Sequence, residues 1–275
     1  MAGGKTMTVL ITGAKGFVGA RLMAMLPGAV AAPSLRGVKM DGLKRMMDEI
    51  QPDWIVHTAA ISDIGACEKD PEASYRANVE LPLMLVGAAQ GKKTVLFSTD
   101  QVYSGLNEKG PYREDAVCPA NVYACHKLKM EQAVLTADPS AVLLRATWMY
   151  DMPLYGLPNR GNFLMNMLLA AARQEPARFS QSQYRGLTYV REVARLTEKA
   201  RLLPGGVYNF GSENTLPMYE TARRFIEMAG WRVALQPSDR DGHSLWMDTG
   251  KLRAQGLAFS STLDGLRACL KDYGL

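Results

Sequence analysis

The chain has 275 residues, of which 47% are hydrophobic and 21% are charged. This balance excludes a disordered chain and is enough for one large domain, or for a core domain with a smaller lobe. The net charge of +5 is small and spread along the chain, so it suits an anionic small ligand rather than nucleic acid. No apolar run approaches the roughly 18 residues that a membrane helix needs.

The four cysteines show neither a C-x-x-C pair nor the spacing of a zinc site. We expect them to be free thiols, buried or half-buried, with no metal site in the chain: Cys67, Cys118, Cys125 and Cys269. The N-terminus carries no apolar segment of the kind found in signal peptides. These features predict a protein of the reducing cytoplasm.

Residues 8–22 predict a strand, a glycine turn and a helix. Such a turn brings a pyrophosphate to the unpaired N–H groups of a helix N-terminus. The spacing is G-x-x-G-x-x-G rather than G-x-G-x-x-G, but its position directly after a buried strand favours a nucleotide site over an ordinary tight βα turn. The candidate cofactor contacts in this stretch are Gly13, Gly16, Phe17, Val18 and Gly19.

The identity of the dinucleotide depends on the segment after the next strand, at residues 29–32. An acidic residue about 20 positions after the glycine turn would bind an adenosine ribose and favour NAD. Residues 29–40 contain no Asp or Glu but do contain Arg36 and Lys39, either of which could bind a 2′-phosphate. The sequence therefore favours NADPH, with Arg36 as a candidate contact, and leaves NADH open.

Strands and helices continue to alternate up to residue 148. We expect a helix at 41–51, a strand at 54–57, a long helix at 72–90 with a kink or break at Pro82, and strands at 94–98 and 141–144. Alternation at this spacing predicts an α/β fold: a Rossmann-type doubly wound parallel sheet with helices on both faces.

The pattern changes after residue 148. Residues 150–161 are rich in Pro, Gly and aromatic side chains, which predicts a mobile loop at the mouth of a site. Helices at 162–173, 190–202, 218–229 and 263–273 and a strand at 207–210 follow. We expect a dinucleotide-binding domain at 1–148 plus about 185–208, and a smaller mixed substrate-binding lobe, interleaved with it, at 149–184 and 209–275.

Tyr123 and Lys127 are the clearest candidates for chemistry. Four residues apart on a helix, they project from one face, and a nearby ammonium lowers the pKa of a phenol from its usual value near 10. A Y-x-x-x-K pair alone is also common on amphipathic surfaces. Here it follows a glycine turn and then Thr99, which ends a strand and is well placed to hydrogen-bond a substrate oxygen. This order of signals favours a catalytic pair.

The sequence resembles the extended short-chain dehydrogenase/reductase family over nearly the whole chain. The shared motifs are T-G-A-K-G-F-V-G (12–19), H-T-A-A (57–60), F-S-T-D-Q-V-Y (97–103), N-V-Y-A-C-H-K (121–127), L-R-A-T-W-M-Y (144–150) and G-V-Y-N-F-G (206–211). Within that family it is most similar to the dTDP-4-dehydrorhamnose reductase branch, through residues 98–103, 111–123, 147–150 and 183–188.

The resemblance implies roles for individual residues. The implied catalytic residues are Thr99, Tyr123 and Lys127, and the last two would also contact the cofactor. Ala59, Ala60 and Asn78 would lie along the cofactor, and the substrate contacts would be Thr99, Asp100, Gln101, Trp148 and Gln183. The implied reaction is hydride transfer to the C4 ketone of a nucleotide-linked 4-keto-6-deoxysugar, with Tyr123 as the proton donor.

The same resemblance bears on competing reactions. Related sugar-nucleotide dehydratases have Asp-Glu directly after the catalytic threonine, whereas Gln101 cannot exchange a proton at neutral pH, so reduction fits better than dehydration. Two alternatives stay open. One is a non-catalytic dinucleotide-binding regulatory subunit, like the β subunit of methionine adenosyltransferase, and the other is an NAD-dependent sugar-nucleotide epimerase.

Several other polar residues have a structural interpretation. His57 ends a buried strand and is expected to be a core residue, and His126 is expected to be a structural or surface histidine. Asp63, Cys67 and Glu68 flank the A-A turn, where lining of the substrate mouth is the weaker alternative. We expect neither a nucleic-acid nor a membrane partner, while a homodimer is compatible with the sequence.

Overall fold

The computed structural model describes residues 6–238 and 243–275 of the chain. The chain folds into two compact units. Unit 1 combines Met1–Thr99, Ala120–Leu144 and Ala194–Tyr208, and unit 2 combines Asp100–Pro119, Arg145–Val193 and Asn209–Leu275. The predicted division into a cofactor domain and a substrate lobe stays a prediction.

Strands and helices alternate in the first half of the chain, because short β-branched runs are separated by amphipathic segments. They are β1 (Val9–Thr12), α1 (Phe17–Met25), β2 (Ala29–Ala31), α2 (Met40–Ile50), β3 (Trp54–His57), α3 (Ile64–Lys69), α4 (Pro71–Tyr75), α5 (Leu81–Ala89), β4 (Lys93–Thr99), α6 (Val122–Ala137) and β5 (Val142–Ala146). The five strands predicted in this half of the chain are all present. The short helix α3 was not predicted.

The second half of the chain has shorter elements. They are β6 (Trp148–Tyr150), α7 (Phe163–Arg173), β7 (Ala177–Phe179), β8 (Leu187–Tyr189), α8 (Val190–Ala200), β9 (Gly206–Phe210), α9 (Met218–Ala229), β10 (Leu235–Pro237), α10 (Gly250–Ala254) and α11 (Thr262–Asp272). The four predicted helices and the strand β9 are confirmed. The three-residue strands β6, β7, β8 and β10 were missed, since so short a segment shows no periodicity.

The main sheet has six strands in the order β2-β1-β3-β4-β5-β9. It is parallel, with Leu10 of β1 opposite both Val30 of β2 and Ile55 of β3. The chain leaves β1 for β2 on one side and then returns to β3 on the other. The topological switch point therefore lies between β1 and β3, where open α/β sheets bind their ligands. The predicted Rossmann-type fold is confirmed.

Helices α2, α5 and α6 cover one face of this sheet. Leu10 and Ile55 are fully buried in a cluster with Leu43 of α2 and residues of α5. A second cluster joins Leu96 of β4 to Met130 of α6. Burial of each such side chain contributes about 2 kcal/mol, so α6 is held against β4 by packing as well as by the polar contacts described below.

The long helix predicted for residues 72–90 is wrong in detail. A π turn at Arg76–Glu80 separates α4 from α5, and the N–H of Leu81 bonds to the carbonyl of Arg76, five residues earlier. Proline has no N–H, and its ring clashes with the carbonyl four residues before it. The turn before Pro82 has widened accordingly, so the irregularity precedes the proline. Asn78 lies in this turn.

The expected burial of the cysteines holds for two of the four. Cys67 and Cys269 are buried free thiols, but Cys118 and Cys125 are exposed. Cys125 follows Tyr123 by two residues on α6, and that spacing turns it to the opposite side of the helix from the buried tyrosine.

Unit 2 has its own apolar core. Phe163 of α7 packs against Phe179 of β7 and Phe225 of α9, with ring centroids 5.3 and 5.5 Å apart. Strand β6 pairs with β8, and β7 with β10, both in parallel. The predicted loop follows β6, and its mobility stays a prediction. In the described ranges 6–238 and 243–275, no helix combines the length and apolar character needed to span a bilayer.

Candidate active site

The glycine turn after β1 packs against the segment that follows β3. Gly13 has a φ of +69°, which favours glycine, and a Cβ on it would lie 2.7 Å from the backbone nitrogen of Ala59. A Cβ on Gly19 would lie 2.1 Å from the carbonyl oxygen of Gly13. The turn and the first turn of α1 can approach β3 this closely only because side chains are absent.

The N-terminus of α1 can accept an anion. Its N-cap, Gly16, is exposed, and among the described residues a Cβ there would meet just the carbonyl oxygen of Gly13, at 3.1 Å. No acidic residue occupies the first turn, which begins with the half-buried Phe17 and Val18. The first N–H groups of a helix have no intrahelical partner and lie at the positive end of its dipole. A dinucleotide pyrophosphate fits this cradle.

The loop after β3 is held by Asn78. This side chain is fully buried, donates from Nδ2 to the carbonyl of Ile61 at 2.9 Å, and accepts the N–H of Ile61 at 3.1 Å. Ala59 is half-buried and Ala60 is exposed. Asn78 therefore fixes the backbone beside these two small residues. Contact of the three residues with a cofactor stays a prediction.

Arg36 lies in the turn that follows β2. It is exposed, and within the described part of the chain it forms no ion pair. Lys39, the other basic candidate, is the exposed N-cap residue of α2. Binding of a 2′-phosphate by Arg36 stays a prediction.

Helix α6 and strand β4 carry the three predicted catalytic residues. The side chain of Asn121 caps α6 by accepting a backbone N–H of its first turn at 2.8 Å. Tyr123 and Lys127 follow one turn apart, 8% and 1% exposed. The Nζ of Lys127 donates to the carbonyl of Phe97 at 2.6 Å, two residues before Thr99 at the end of β4. This hydrogen bond fixes the position of α6 along the axis of β4.

Lys127 is a buried cation with an electrostatic partner. Burial lowers its pKa to about 8, although the negative charge of Glu131 acts in the opposite direction. Glu131 lies one turn further along α6, is buried, and accepts a hydrogen bond from the Ser98 hydroxyl at 2.5 Å. Neither Glu131 nor Ser98 was predicted. The available signal was a glutamate four residues after Lys127, on the same helix face.

His57 is fully enclosed at the end of β3. Its Nδ1 shares a hydrogen bond of 2.7 Å with the Thr12 hydroxyl. Burial, with the charge of Lys127 as the second cause, lowers the pKa of His57 to about 3. The imidazole is therefore neutral at physiological pH, which suits the predicted core role better than that of a base.

The remaining polar residues of this region make structural contacts. The Nδ1 of His126 shares a hydrogen bond of 2.9 Å with the Ser74 hydroxyl. Asp63 caps α3, and Glu68 accepts the backbone N–H of Val122 at 2.8 Å, so it stabilises the start of α6. Within residues 6–238 and 243–275, no group of three or more His, Cys, Asp or Glu side chains could hold a metal ion.

Arg185 contacts two of the predicted substrate residues of unit 2, Asp100 and Trp148. Asp100, which follows Thr99 in the chain, is 3% exposed, and its Oδ2 accepts a hydrogen bond of 2.8 Å from Nη2 of Arg185. The guanidinium carbon of Arg185 lies 5.2 Å from the ring centroid of Trp148. Arg185 was not predicted, although it stands within the Q-Y-R-G-L-T stretch.

The two predicted glutamines lie in different surroundings. Gln101 is half-buried in a 3₁₀ turn, Asp100–Tyr103, which continues directly from β4. Gln183 is half-buried and donates from Nε2 to the carbonyl of His243 at 3.0 Å. Contact of either residue with a substrate stays a prediction.

Known proteins resemble this chain along most of its length. The family model described as RmlD substrate binding domain matches residues 7–244. A dTDP-4-dehydrorhamnose reductase of Burkholderia thailandensis is 33% identical over 82% of this chain and 79% of its own. A dTDP-4-keto-6-deoxy-D-glucose reductase of Streptomyces niveus is 27% identical over 88% of this chain and 90% of its own.

A solved structure shows the same fold. A crystal structure of a dTDP-4-dehydrorhamnose reductase from Bacillus anthracis, in complex with NADP, has a TM-score of 0.87 to this chain, at 23% identity. The match covers 98% of this chain and all of the other. It confirms the fold.

The parallel sheet, the glycine turn and the Tyr123–Lys127 pair define a protein of the extended short-chain dehydrogenase/reductase class. More narrowly, the chain belongs to the family described as RmlD substrate binding domain. The family resemblance found in the sequence is thereby confirmed.

Proposed function

We propose that this chain is an NADPH-dependent reductase of a nucleotide-linked 4-keto-6-deoxysugar. The observation that carries the proposal is the placement of Lys127, whose buried ammonium is fixed on the Phe97 carbonyl one helical turn from Tyr123. Both curated relatives described above are named as reductases of dTDP-linked sugars. Membership in the same family supports the same class of substrate here.

NADPH is the cofactor that the residues fit best. The N-terminus of α1 offers N–H groups to a pyrophosphate. Arg36 is exposed after β2, where a 2′-phosphate would need a cation, and no acidic residue lies between residues 29 and 40. The related Bacillus anthracis structure is in complex with NADP. NADH would lose the contact to Arg36 but keep the rest.

The mechanism assigns one task to each of three side chains. When bound, NADPH supplies the hydride that reduces the C4 ketone. Tyr123 donates its phenolic proton to the carbonyl oxygen as negative charge develops there, and solvent later restores that proton. The Thr99 hydroxyl donates a hydrogen bond to the same oxygen. The Lys127 ammonium favours the phenolate form of Tyr123, and so makes the phenol a stronger acid.

The residues after Thr99 favour reduction over elimination. Loss of water from a sugar needs a second acid-base group beside the ketone, and Gln101 cannot take up or release a proton at neutral pH. Asp100 is a carboxylate, but it is bound to Arg185 in a part-buried ion pair. Neither side chain is suited to remove a proton from the substrate.

The test is a turnover assay with purified protein, NADPH and a freshly prepared dTDP-4-keto-6-deoxysugar. We expect NADPH to be oxidised in proportion to the ketone added, and dTDP-glucose, which has no ketone, to give no oxidation. A regulatory subunit would bind NADPH without consuming it. An epimerase would convert the sugar without net oxidation of the cofactor. Either result would refute the proposal.

A further inference from the structure

Arg185 has a hydrogen-bond donor that the described part of the protein leaves unused. Its Nε is buried and has no hydrogen-bond partner in the described ranges. Its Nη2, in contrast, bonds to Asp100 at 2.8 Å, and the side chain as a whole is 15% exposed. A buried donor without a partner is costly, and such groups in native proteins call for a specific explanation.

The backbone around Arg185 is fixed, so the donor has a defined position. Arg185 forms a β-bridge with Leu245, and its carbonyl accepts a hydrogen bond from Nδ2 of Asn214 at 3.1 Å. A Cβ on the next residue, Gly186, would lie 1.9 Å from the carbonyl oxygen of Ser212. The segment is therefore packed backbone to backbone. Rigid support of this kind is what a binding group needs.

The surroundings of Arg185 favour a neutral oxygen over an anion. The Asp100 carboxylate, 2.8 Å from the guanidinium, balances its positive charge. A phosphate group would approach Asp100 as well as Arg185 and would be repelled by the carboxylate. A hydroxyl or carbonyl oxygen of a sugar meets no such repulsion. The adjacent ring of Trp148 offers an apolar surface of the kind against which a sugar ring packs.

We propose that Arg185 binds the sugar part of the substrate by donating its Nε hydrogen to a sugar oxygen, while Asp100 and Trp148 hold the guanidinium in place. This inference rests on the proposed function for the identity of the ligand, a nucleotide-linked sugar. It makes Arg185 a specificity-determining residue of unit 2, distinct from the residues assigned to proton transfer.

The first experiment compares wild type with Arg185→Lys. Lysine keeps the positive charge beside Asp100 but has no donor at the position of Nε. We expect the KM for the 4-keto sugar nucleotide to rise about 10-fold, the worth of one hydrogen bond to a charged donor, with kcat changed by less than about threefold. NADPH affinity should not change. The matched control is Arg191→Lys, since Arg191 forms an exposed ion pair with Asp272 in the same unit.

Binding measurements separate the sugar from the diphosphate. The probes are dTDP and dTDP-glucose, a stable analogue that cannot be reduced. In Arg185→Lys, we expect dTDP-glucose to bind about 10-fold more weakly and dTDP to bind within about twofold of wild type. Equal weakening of both ligands would assign Arg185 to the diphosphate. No change in either would leave it only a structural role. Both results overturn the inference.

A second measurement includes one part that uses only the wild-type protein. Monodeoxy analogues of dTDP-glucose, each lacking one hydroxyl, are titrated against the wild-type protein. For wild type, we expect one of these analogues to bind about 10-fold more weakly than dTDP-glucose. For Arg185→Lys, the same analogue and dTDP-glucose should bind equally well, because the hydrogen bond is already lost. Equal affinity of every analogue for wild type contradicts the inference.

The outcomes also separate this inference from the proposed function. A wild type that oxidises NADPH with the 4-keto sugar, together with an unaltered Arg185→Lys variant, refutes only the role of Arg185. A wild type that binds dTDP-glucose through Arg185 but never oxidises NADPH refutes only the reductase activity. A wild type that binds no sugar nucleotide refutes both.

Discussion

Units 1 and 2 each have a cation at a candidate site, fully buried in unit 1 and largely buried in unit 2, and the two cations differ in kind. Lys127 in unit 1 has a pKa lowered by burial to about 8, so it can lose its proton near physiological pH. The cation in unit 2, Arg185, is a guanidinium, whose planar group holds its N–H donors in a fixed arrangement. A titratable cation can tune the acidity of a neighbouring phenol, whereas a guanidinium offers fixed hydrogen-bond geometry. We therefore expect variants in unit 1 to change kcat and its pH dependence, and variants in unit 2 to change KM.

The largest effect is expected from Tyr123→Phe. This substitution removes the proposed proton donor and leaves a buried ring of nearly the same shape. We expect kcat to fall on the order of 1000-fold, while the NADPH dissociation constant stays within about threefold of wild type. Initial rates and titration of NADPH binding are the two measurements. Full activity in this variant would remove Tyr123 from the mechanism.

The next largest effect is expected at the glycine turn. In Gly19→Ala, the added Cβ would lie 2.1 Å from the carbonyl oxygen of Gly13, so the turn must shift. We expect NADPH to bind on the order of 100-fold more weakly and the free energy of unfolding to fall by about 2 kcal/mol.

A matched control for this variant is Gly161→Ala. A Cβ on Gly161 meets no heavy atom of residues 6–238 or 243–275 within 4 Å, so the substitution should leave both quantities unchanged. Normal NADPH binding by Gly19→Ala would show that the cofactor does not use this turn.

A smaller effect is expected at Arg36. Replacing it by alanine removes the proposed partner of the 2′-phosphate and breaks no ion pair among the described residues. We expect the KM for NADPH to rise about 10-fold while the KM for NADH is unchanged. Steady-state kinetics with both cofactors measure this preference. The control is Lys39→Ala, and a loss confined to that variant would transfer the role to Lys39.

The smallest effect is a shift of the pH profile. Below pH about 8, Lys127 carries its proton, so kcat/KM should fall as the pH rises through that value. Glu131 raises the pKa of Lys127, so in Glu131→Gln the fall should begin at a lower pH. The control is Glu198→Gln, at an exposed position on α8. An unmoved profile in Glu131→Gln would separate Glu131 from Lys127.

As the pH rises, the contribution of Lys127 to the free energy of unfolding changes in the opposite direction from the activity. Its pKa is lower in the folded state than the usual 10.5, so between about 8 and 10.5 the unfolded chain binds more protons at this site. This group therefore makes the protein more stable as the pH rises through that window. A loss of activity there, with no fall in the melting temperature, is the expected combination.

In unit 1, the arrangement of the candidate residues was largely predictable from the sequence because these residues are close together in the chain. The glycine turn lies within seven residues, and Tyr123 and Lys127 are separated by one helical turn, so periodicity alone shows that they share a face. The strand ends follow from the alternation of apolar segments. What the sequence did not show is that Glu131 and Ser98 support Lys127, because a glutamate on a helix is usually exposed.

The arrangement of the candidate residues in unit 2 was less predictable because it depends on contacts between residues far apart in the sequence. Asp100 and Arg185 are 85 residues apart, and nothing in either segment indicates that they meet. Trp148 lies on a three-residue strand that has no detectable period. The break predicted at Pro82 was misplaced for a different reason. A proline shows that a helix is interrupted, but the sequence does not show that the interruption, a π turn at Arg76–Glu80, comes before it.

The reaction proposed for this protein delivers a hydride to the C4 carbon of a nucleotide-linked ketosugar. Its sharpest test uses NADPH deuterated at the transferable position of its nicotinamide, with mass and NMR analysis of the sugar after complete reaction. We expect one deuterium per product molecule, at C4, with one NADPH consumed for each sugar reduced. A product without deuterium, or an altered sugar with the cofactor unchanged, would contradict hydride transfer by this protein.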